Sequence, residues 1–203
     1  VSTQSKSRTL ENPYQTVQNQ IVSLHNHIFL KNSKIDVDLG YINNDRMEFE
    51  DEHESEHEHE LEEPSLYMKL KTYNYDVKYH LPKMKNIELI VGAQGMHQTN
   101  KNLGKEILIP DAQIDNLGIL TTALIDFEKS ALQGGFRFDT RKIETSYHEV
   151  AHENEVHIFE SIKKNYQNCT ASLGYKFEQR KDITTGINVA TAFRSPNIAE
   201  LTS

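Results

Sequence analysis

Apolar and polar residues alternate one by one through about eight long runs of this chain, joined in turn by a very short and then a long polar connection. A two-residue period sends successive side chains to opposite faces of a strand. Between Ile35 and Phe49, the residues Ile35, Val37, Leu39, Tyr41, Met47 and Phe49 share one face, while Asp36, Asp38, Asn44, Arg46 and Glu48 share the other. From Ala131 to Asp139, Leu132, Phe136 and Phe138 oppose Gln133, Arg137 and Asp139. From Ile183 to Phe193, Ile183, Ile187, Val189 and Phe193 oppose Thr184, Asn188, Ala190 and Arg194. An all-β antiparallel meander of such strands, trimmed at one end and looped at the other, is the pattern of a transmembrane β-barrel wall; whether it is part of a large barrel or a whole small one the pattern leaves open.

The short connections are 31–34, 82–86, 128–130 and 179–182. The long ones are 50–64, 99–113 and 145–155, and a fourth begins at Ser195. Runs of roughly 10 to 17 residues exceed the ordinary soluble strand of about 5 to 6 and satisfy the 9 to 11 that a tilted membrane strand needs. Tyr67, Tyr73, Tyr75, Tyr79 and Tyr175 are candidates for interfacial aromatic girdles, although Trp is absent.

With 36% hydrophobic residues and a mean hydropathy of -0.66, the 203-residue chain is lean for a large buried core. A polar-lined barrel wall removes that difficulty, because only its outward face must be apolar. No run approaches the roughly 18 apolar residues of a helical span. The single cysteine, Cys169, permits no intramolecular disulfide, and its parity with Ala171, Leu173, Tyr175 and Phe177 assigns it to an apolar face. Residues 1–12 read as a polar loop or strand approach with no signal peptide, so the chain reads as an excerpt.

The segment 50–64 is the chemical outlier. Glu50 to Glu63 reads EDEHESEHEHELEE, with nine carboxylates, three histidines and no basic residue. Without those nine acids, the remaining 21 acids against 22 Lys and Arg turn the net charge from -8 to +1. Like charges at this density repel and bury nothing, so the expectation is a mobile loop. Imidazoles with dense carboxylates also capture divalent zinc, copper or nickel at overlapping sites. The candidate ligands are His53, His57 and His59 with Glu54, Glu56 and Glu58. His57 and His59 share a side of an extended chain, and His53 and His57 would pair on a helix. No obligatory cofactor is implied, and a solvated acidic rim explains the same tract.

Other histidines are dispersed: His25 and His27 on one strand face, His80 and His97 near strand ends, and His148, His152 and His157 around the third long loop. If the two loops share a rim, the last three could extend a cation-collecting surface.

Three segments carry a family resemblance. Ala190 to Leu201 (ATAFRSPNIAEL) resembles a recurring stretch of TonB-dependent outer-membrane receptors, where a strand rises into an extracellular loop; Pro196 cannot donate to a ladder and biases Ser195 toward extended geometry. Gly92 to Pro110 (GAQGMHQTNKNLGKEILIP) resembles that family's strand with an asparagine-rich loop and a Leu-Ile-Pro, and Gly134 to Arg141 (GGFRFDTR) its GG-x-R-x-D strand. The resemblance is nearest to receptors of the Bacteroidetes type. It implies a mid-barrel portion spanning 1–203, with 50–64 as an extracellular loop and the plug domain absent. It also implies bacterial outer-membrane lipid around the wall, a TonB-type energy-coupling protein acting through the missing plug, and energised import of a scarce solute such as iron chelates, haem, cobalamin, zinc or glycans. The acidic histidine tract favours a metal ion or metal chelate such as a siderophore or haem. Polar residues expected to face the plug or ligand are Arg137, Asp139, Arg141, Asn188 and Arg194, each read first as satisfied by a cross-strand neighbour.

Two other readings remain open from the residues: a small self-contained eight-stranded outer-membrane barrel, which would close on itself, and a soluble periplasmic metal-binding β protein, whose apolar faces would form a shared core. No nucleophile elbow, phosphate-cradling glycine loop or HExxH helix is present, so no enzyme is expected. No nucleic-acid partner is expected.

Overall fold

The computed structural model describes residues 13–50, 63–152 and 155–202, without the side chains of 151–157 and 202. Eight strands form one antiparallel sheet: β1 (Tyr14–Phe29), β2 (Lys34–Phe49), β3 (Leu66–His80), β4 (Ile87–Asn102), β5 (Ala112–Asp126), β6 (Ser130–Thr145), β9 (Lys163–Arg180) and β10 (Ile183–Ala190). Each pairs with the next in chain order, apart from an excursion after β6. There β7 (His148–His152) and β8 (Glu155–Phe159) make a separate two-stranded hairpin. A short helix, α1 (Ile198–Thr202), follows β10.

The predicted alternation of connections holds. Residues 30–33, 81–86, 127–129 and 181–182 are short turns at one end, whereas at the other end the strands are separated by the long stretches 50–65, 103–111 and 146–162. Several boundaries differ from expectation: the second long connection shortens from 99–113 to 103–111, because Thr99 to Asn102 complete β4. The third long connection runs on to 162 because the hairpin occupies it, and Phe193 and Arg194 lie beyond the end of β10.

Register makes the two faces explicit, because directly paired residues project to the same side. One face carries Leu24, Leu39 and Tyr75 in one row. The next row on that face is Val37, Val77, Ala93, Ile119, Phe138 and Cys169. Nearer the turns it carries Leu173 with Val189, and Tyr175 with Ile187. The belt drifts diagonally across the rows, from Ile35 to Tyr41 on β2 to Cys169 to Phe177 on β9. A level band drifts across the register in this way when strands are tilted to its axis, as barrel closure requires. Much of this belt is bare: Leu173 is 58% exposed and Val189 68%, whereas Val37, Ala93 and Phe138 are half-buried.

The opposite face is polar, and the dry part of the molecule sits on it at the long-loop end. Leu66, Ala112, Ile114 and Ile143 are buried there with Asn100, Thr72 and Thr145. Among the described residues the first strand is not paired with the last, so the sheet is open rather than a closed eight-stranded barrel.

Candidate functional site on the polar face and its rim

Across the middle of the polar face runs a strip of mutually satisfied charges. Lys78 Nζ donates to Asp76 Oδ2 at 2.9 Å, and Gln94 Nε2 donates to the same oxygen at 2.7 Å. The carbonyl end of the Gln94 amide accepts from Arg137 Nη1. Arg137 also grips Asp139, Nε to Oδ2 at 2.7 Å and Nη2 to Oδ1 at 2.6 Å. Gln94 thus relays between a carboxylate on β3 and a guanidinium on β6. The ion pair lies over Gly118 of β5, where a Cβ would fall 2.4 Å from Asp139 Oδ1 and 2.5 Å from Arg137 Nη2. A Cβ there would push the ends of these two side chains out of their present places.

Toward the turns the same face holds paired histidines. His25 Nδ1 lies 2.7 Å from Asp38 Oδ1, and His27 Nδ1 lies 2.6 Å from Asp36 Oδ1. His80 Nε2 reaches the other oxygen of Asp36 at 2.7 Å, which also accepts from Lys34 Nζ at 2.9 Å. One carboxylate therefore ties β1, β2 and β3 together. Among the described residues no group of three His, Cys, Asp or Glu side chains is arranged to hold a metal ion.

The rim is knotted by the asparagines and by Asp111. Asn102 Nδ2 donates to the Ile109 carbonyl at 2.7 Å and to Asp111 Oδ1 at 3.0 Å, and Asn100 Nδ2 reaches the Pro110 carbonyl at 3.4 Å. That is the physical content of the asparagine-rich loop with its Ile-Pro: side-chain amides replace the ladder where proline cannot donate. Lys101 Nζ donates to Asp111 Oδ2 at 2.8 Å. The Asp111 carbonyl accepts from Ser146 N at 2.8 Å, which joins the second long connection to the third. Burial pushes the Asp111 carboxyl up, but the hydrogen bonds from Lys101 and from the backbone and side chain of Asn102 outweigh it and hold the carboxyl below its ordinary value. The second connection also docks on the start of β3, Leu103 N to the Tyr67 carbonyl and Glu106 N to the Ser65 carbonyl, both at 2.8 Å. A Cβ on Gly104 would sit 2.4 Å from Tyr67 N, so this approach needs glycine.

Past β10, Asn197 and Glu200 form a reciprocal cap on α1: Glu200 N donates to Asn197 Oδ1 at 2.8 Å, and Asn197 N donates to Glu200 Oε2 at 2.9 Å. Arg194 pairs with Glu200. The resemblance segment is thus a strand exit followed by a capped helical turn.

The residues singled out in the sequence separate clearly. Arg137, Asp139 and Arg141 share the polar face, Asn188 follows by register with Gly174, and Arg194 lines a cavity with the first three. Arg137 is satisfied, yet by Asp139 two residues along its own strand and by Gln94 two strands away, not by its direct neighbour. Arg141 has no hydrogen-bond or ion-pair partner among the described residues, and its Nε is shielded from solvent. His97 lies inside β4 rather than near its end, 2.6 Å from Asp115 Oδ1. The metal candidates His53, His57, His59, Glu54, Glu56 and Glu58 lie outside the described residues, as do the side chains of His152 and His157. Tyr73 packs on Tyr41 with ring centroids 4.9 Å apart, at the loop-side border of the belt.

Solved structures share this arrangement of strands. The copper transporter OprC superimposes with a TM-score of 0.66 at 12% identity, covering 91% of this chain and 32% of OprC. The ferric yersiniabactin uptake receptor FyuA from Yersinia pestis gives 0.58 at 9% identity, covering 87% of this chain and 28% of FyuA. The fold is that of part of these β-barrels. The chain spans about a third of the length of either protein, and identity this low establishes the fold alone. No protein-family model matches the sequence, and no curated protein does.

Proposed function

We propose that this chain forms part of the wall of a bacterial outer-membrane receptor that imports a scarce solute with energy delivered by a TonB-type coupling protein. Its apolar face lies against lipid, and its polar face looks into the lumen that a plug domain fills. The observation that carries this is the diagonal apolar belt, which runs across the sheet and is left bare on one face. A soluble sandwich would need a second layer on that face, and none of the described residues supplies one. The open sheet argues against a self-contained small barrel.

The solute we propose is a metal ion or metal chelate. Two observations support it: the acidic histidine tract at 50–63, whose imidazoles and carboxylates suit zinc, copper or nickel, and the likeness of the fold to a copper transporter, OprC, and a ferric yersiniabactin uptake receptor, FyuA. In this reading the tract stands on the extracellular rim and concentrates cations there, with His53, His57 and His59 as the soft ligands and Glu54, Glu56 and Glu58 as oxygen donors. The test is growth of a strain lacking the full receptor, and of one lacking only 50–63, under iron, zinc or copper limitation. A growth defect in both under the same limitation is expected, and normal growth of both under all three removes the metal assignment. Calorimetry on a 50–63 peptide separates the ligands: replacing the three histidines with alanine is expected to abolish most zinc binding.

A further inference from the structure

On β3 and β4 the apolar face turns basic toward the long loops. The apolar row of β3 ends at Tyr73, packed beside Tyr41, and the next two residues on that face are Lys71 and Lys69. Register sets Lys69 directly opposite Lys101 of β4, and Lys71 opposite Thr99. Like charges at opposed positions repel, so the sheet gains nothing from this pairing by itself. Its surroundings neutralise it only in part. Asp45 Oδ1 lies 3.4 Å from Lys69 Nζ, and Asp111 Oδ2 accepts from Lys101 Nζ at 2.8 Å. Lys71 is exposed and has no hydrogen-bond or ion-pair partner among the described residues. The β5 acid on this face, Asp115, is engaged by His97 and Gln113. Three ammonium groups therefore share two carboxylates, just beyond a tyrosine pair that closes the apolar surface. At that level of a bilayer lie the headgroup phosphates, and a lysine stem can lie on the apolar surface while its ammonium reaches them.

We propose that Lys71, Lys69 and Lys101 form a ledge that binds the phosphate of an anionic lipid headgroup, whose acyl chains lie along Tyr73, Tyr75 and Val77 below. Lys71 supplies the uncompensated charge, and Lys69 and Lys101 flank the phosphate, which relieves their mutual repulsion. A zwitterionic headgroup carries its own ammonium and gains less from the same lysines. This inference rests on the lipid-facing reading of the belt and deepens it by naming the headgroup chemistry; it does not depend on transport or on metal.

The test refolds the full chain into phosphatidylcholine vesicles and adds a trace of phosphatidate or phosphatidylcholine carrying a spin label far down the acyl chain. Electron paramagnetic resonance reads the fraction of each that the protein surface holds motionally restricted. Phosphatidate is expected to associate about twofold more strongly, averaged over all lipid positions around the sheet, and high salt is expected to shrink the difference. Lys69→Gln combined with Lys71→Gln is expected to remove most of the preference. Lys71→Arg is expected to keep it, and Lys164→Gln, on the polar face in register with Ile143, to leave it unchanged. Unchanged circular dichroism certifies each variant as folded. Inorganic phosphate is expected to reduce the preference no more than chloride of equal ionic strength; a larger reduction would replace the lipid with the free ion. With the nine acids of 50–63 changed to their amides the preference is expected to be at least as large, and a preference seen only in that variant would make the acidic tract the occupant instead. Restricted lipid without a headgroup preference, or a preference untouched by the paired lysine substitutions, overturns the ledge alone. No restricted lipid with either probe overturns the ledge and the lipid-facing belt together.

Discussion

The rim and the belt are built on opposite terms. At the long-loop end the chain supplies its own cover: Ile143 is fully buried, and amides and carbonyls of two connections are clasped by Asn100, Asn102, Asp111 and Thr145. Across the middle of the same strands, large apolar side chains such as Ile187, Leu173 and Phe136 have nothing over them. The rim is a structure that water tolerates, whereas the belt, on the function proposed above, is half of an interface whose other half is lipid. One strand serves both: Phe136 and Ile143 belong to β6, seven positions apart and therefore on opposite faces.

The comparison is tested most severely by changing those two residues and measuring urea unfolding of the chain in detergent and after refolding into vesicles. Ile143→Ala is expected to cost about 3 kcal/mol in either medium, because the cavity it leaves is internal. Phe136→Arg is expected to cost about 2 kcal/mol in vesicles and much less in detergent, where the charge can reach water. If the two substitutions respond alike to the change of medium, the distinction between rim and belt fails.

Much of this contrast was legible in the sequence. Period-two alternation gave the two faces, the strand number and the short-long order of connections, because a slip of one residue would move every side chain to the wrong side. The rim core was not legible. Ile114 and Ile143 carry the parity of the polar face, and only the folding of the long connections over that end makes them interior. The β7–β8 hairpin was missed because five-residue strands give too short an alternation. The partners of Arg137 were missed because relays through Gln94 depend on register and rotamer. Asn100, Asn102 and Asp111 around Ile109-Pro110 did leave a signal, since asparagines flanking a proline loop are the residues able to bond its carbonyls.

A smaller effect sharpens the account of the rim. Asp111→Asn is expected to lower stability by about 1 kcal/mol at pH 7, since a partly exposed carboxylate with one lysine and the Asn102 amides is only moderately coupled. The Asp111 carboxyl is held below its ordinary value in the folded chain. Its contribution is therefore complete above the unfolded-state value and disappears as pH falls through the folded one. Unfolding midpoints of the two chains are expected to differ at pH 7 and to converge as the pH is taken well below 4. Convergence at high pH instead would remove Asp111 as the link between the loops.

The turn end provides the smallest change. Lys85 holds a left-handed backbone, φ 53°, in the turn before β4. Lys85→Gly is expected to raise stability by about 0.5 to 1 kcal/mol in either medium, because glycine adopts that conformation without steric cost. A loss of stability would mean that the Lys85 side chain contributes more than its backbone costs.

The central claim is that the bare apolar face meets lipid while the polar face meets water, and the chain carries its own probe. Cys169 is exposed on the apolar face, in register with Phe138. In vesicles, a fluorophore on Cys169 is expected to be quenched by bromine-labelled acyl chains and spared by aqueous iodide, and one on Ser172→Cys in a Cys169→Ser background is expected to show the reverse. Equal quenching of both positions by iodide would contradict it.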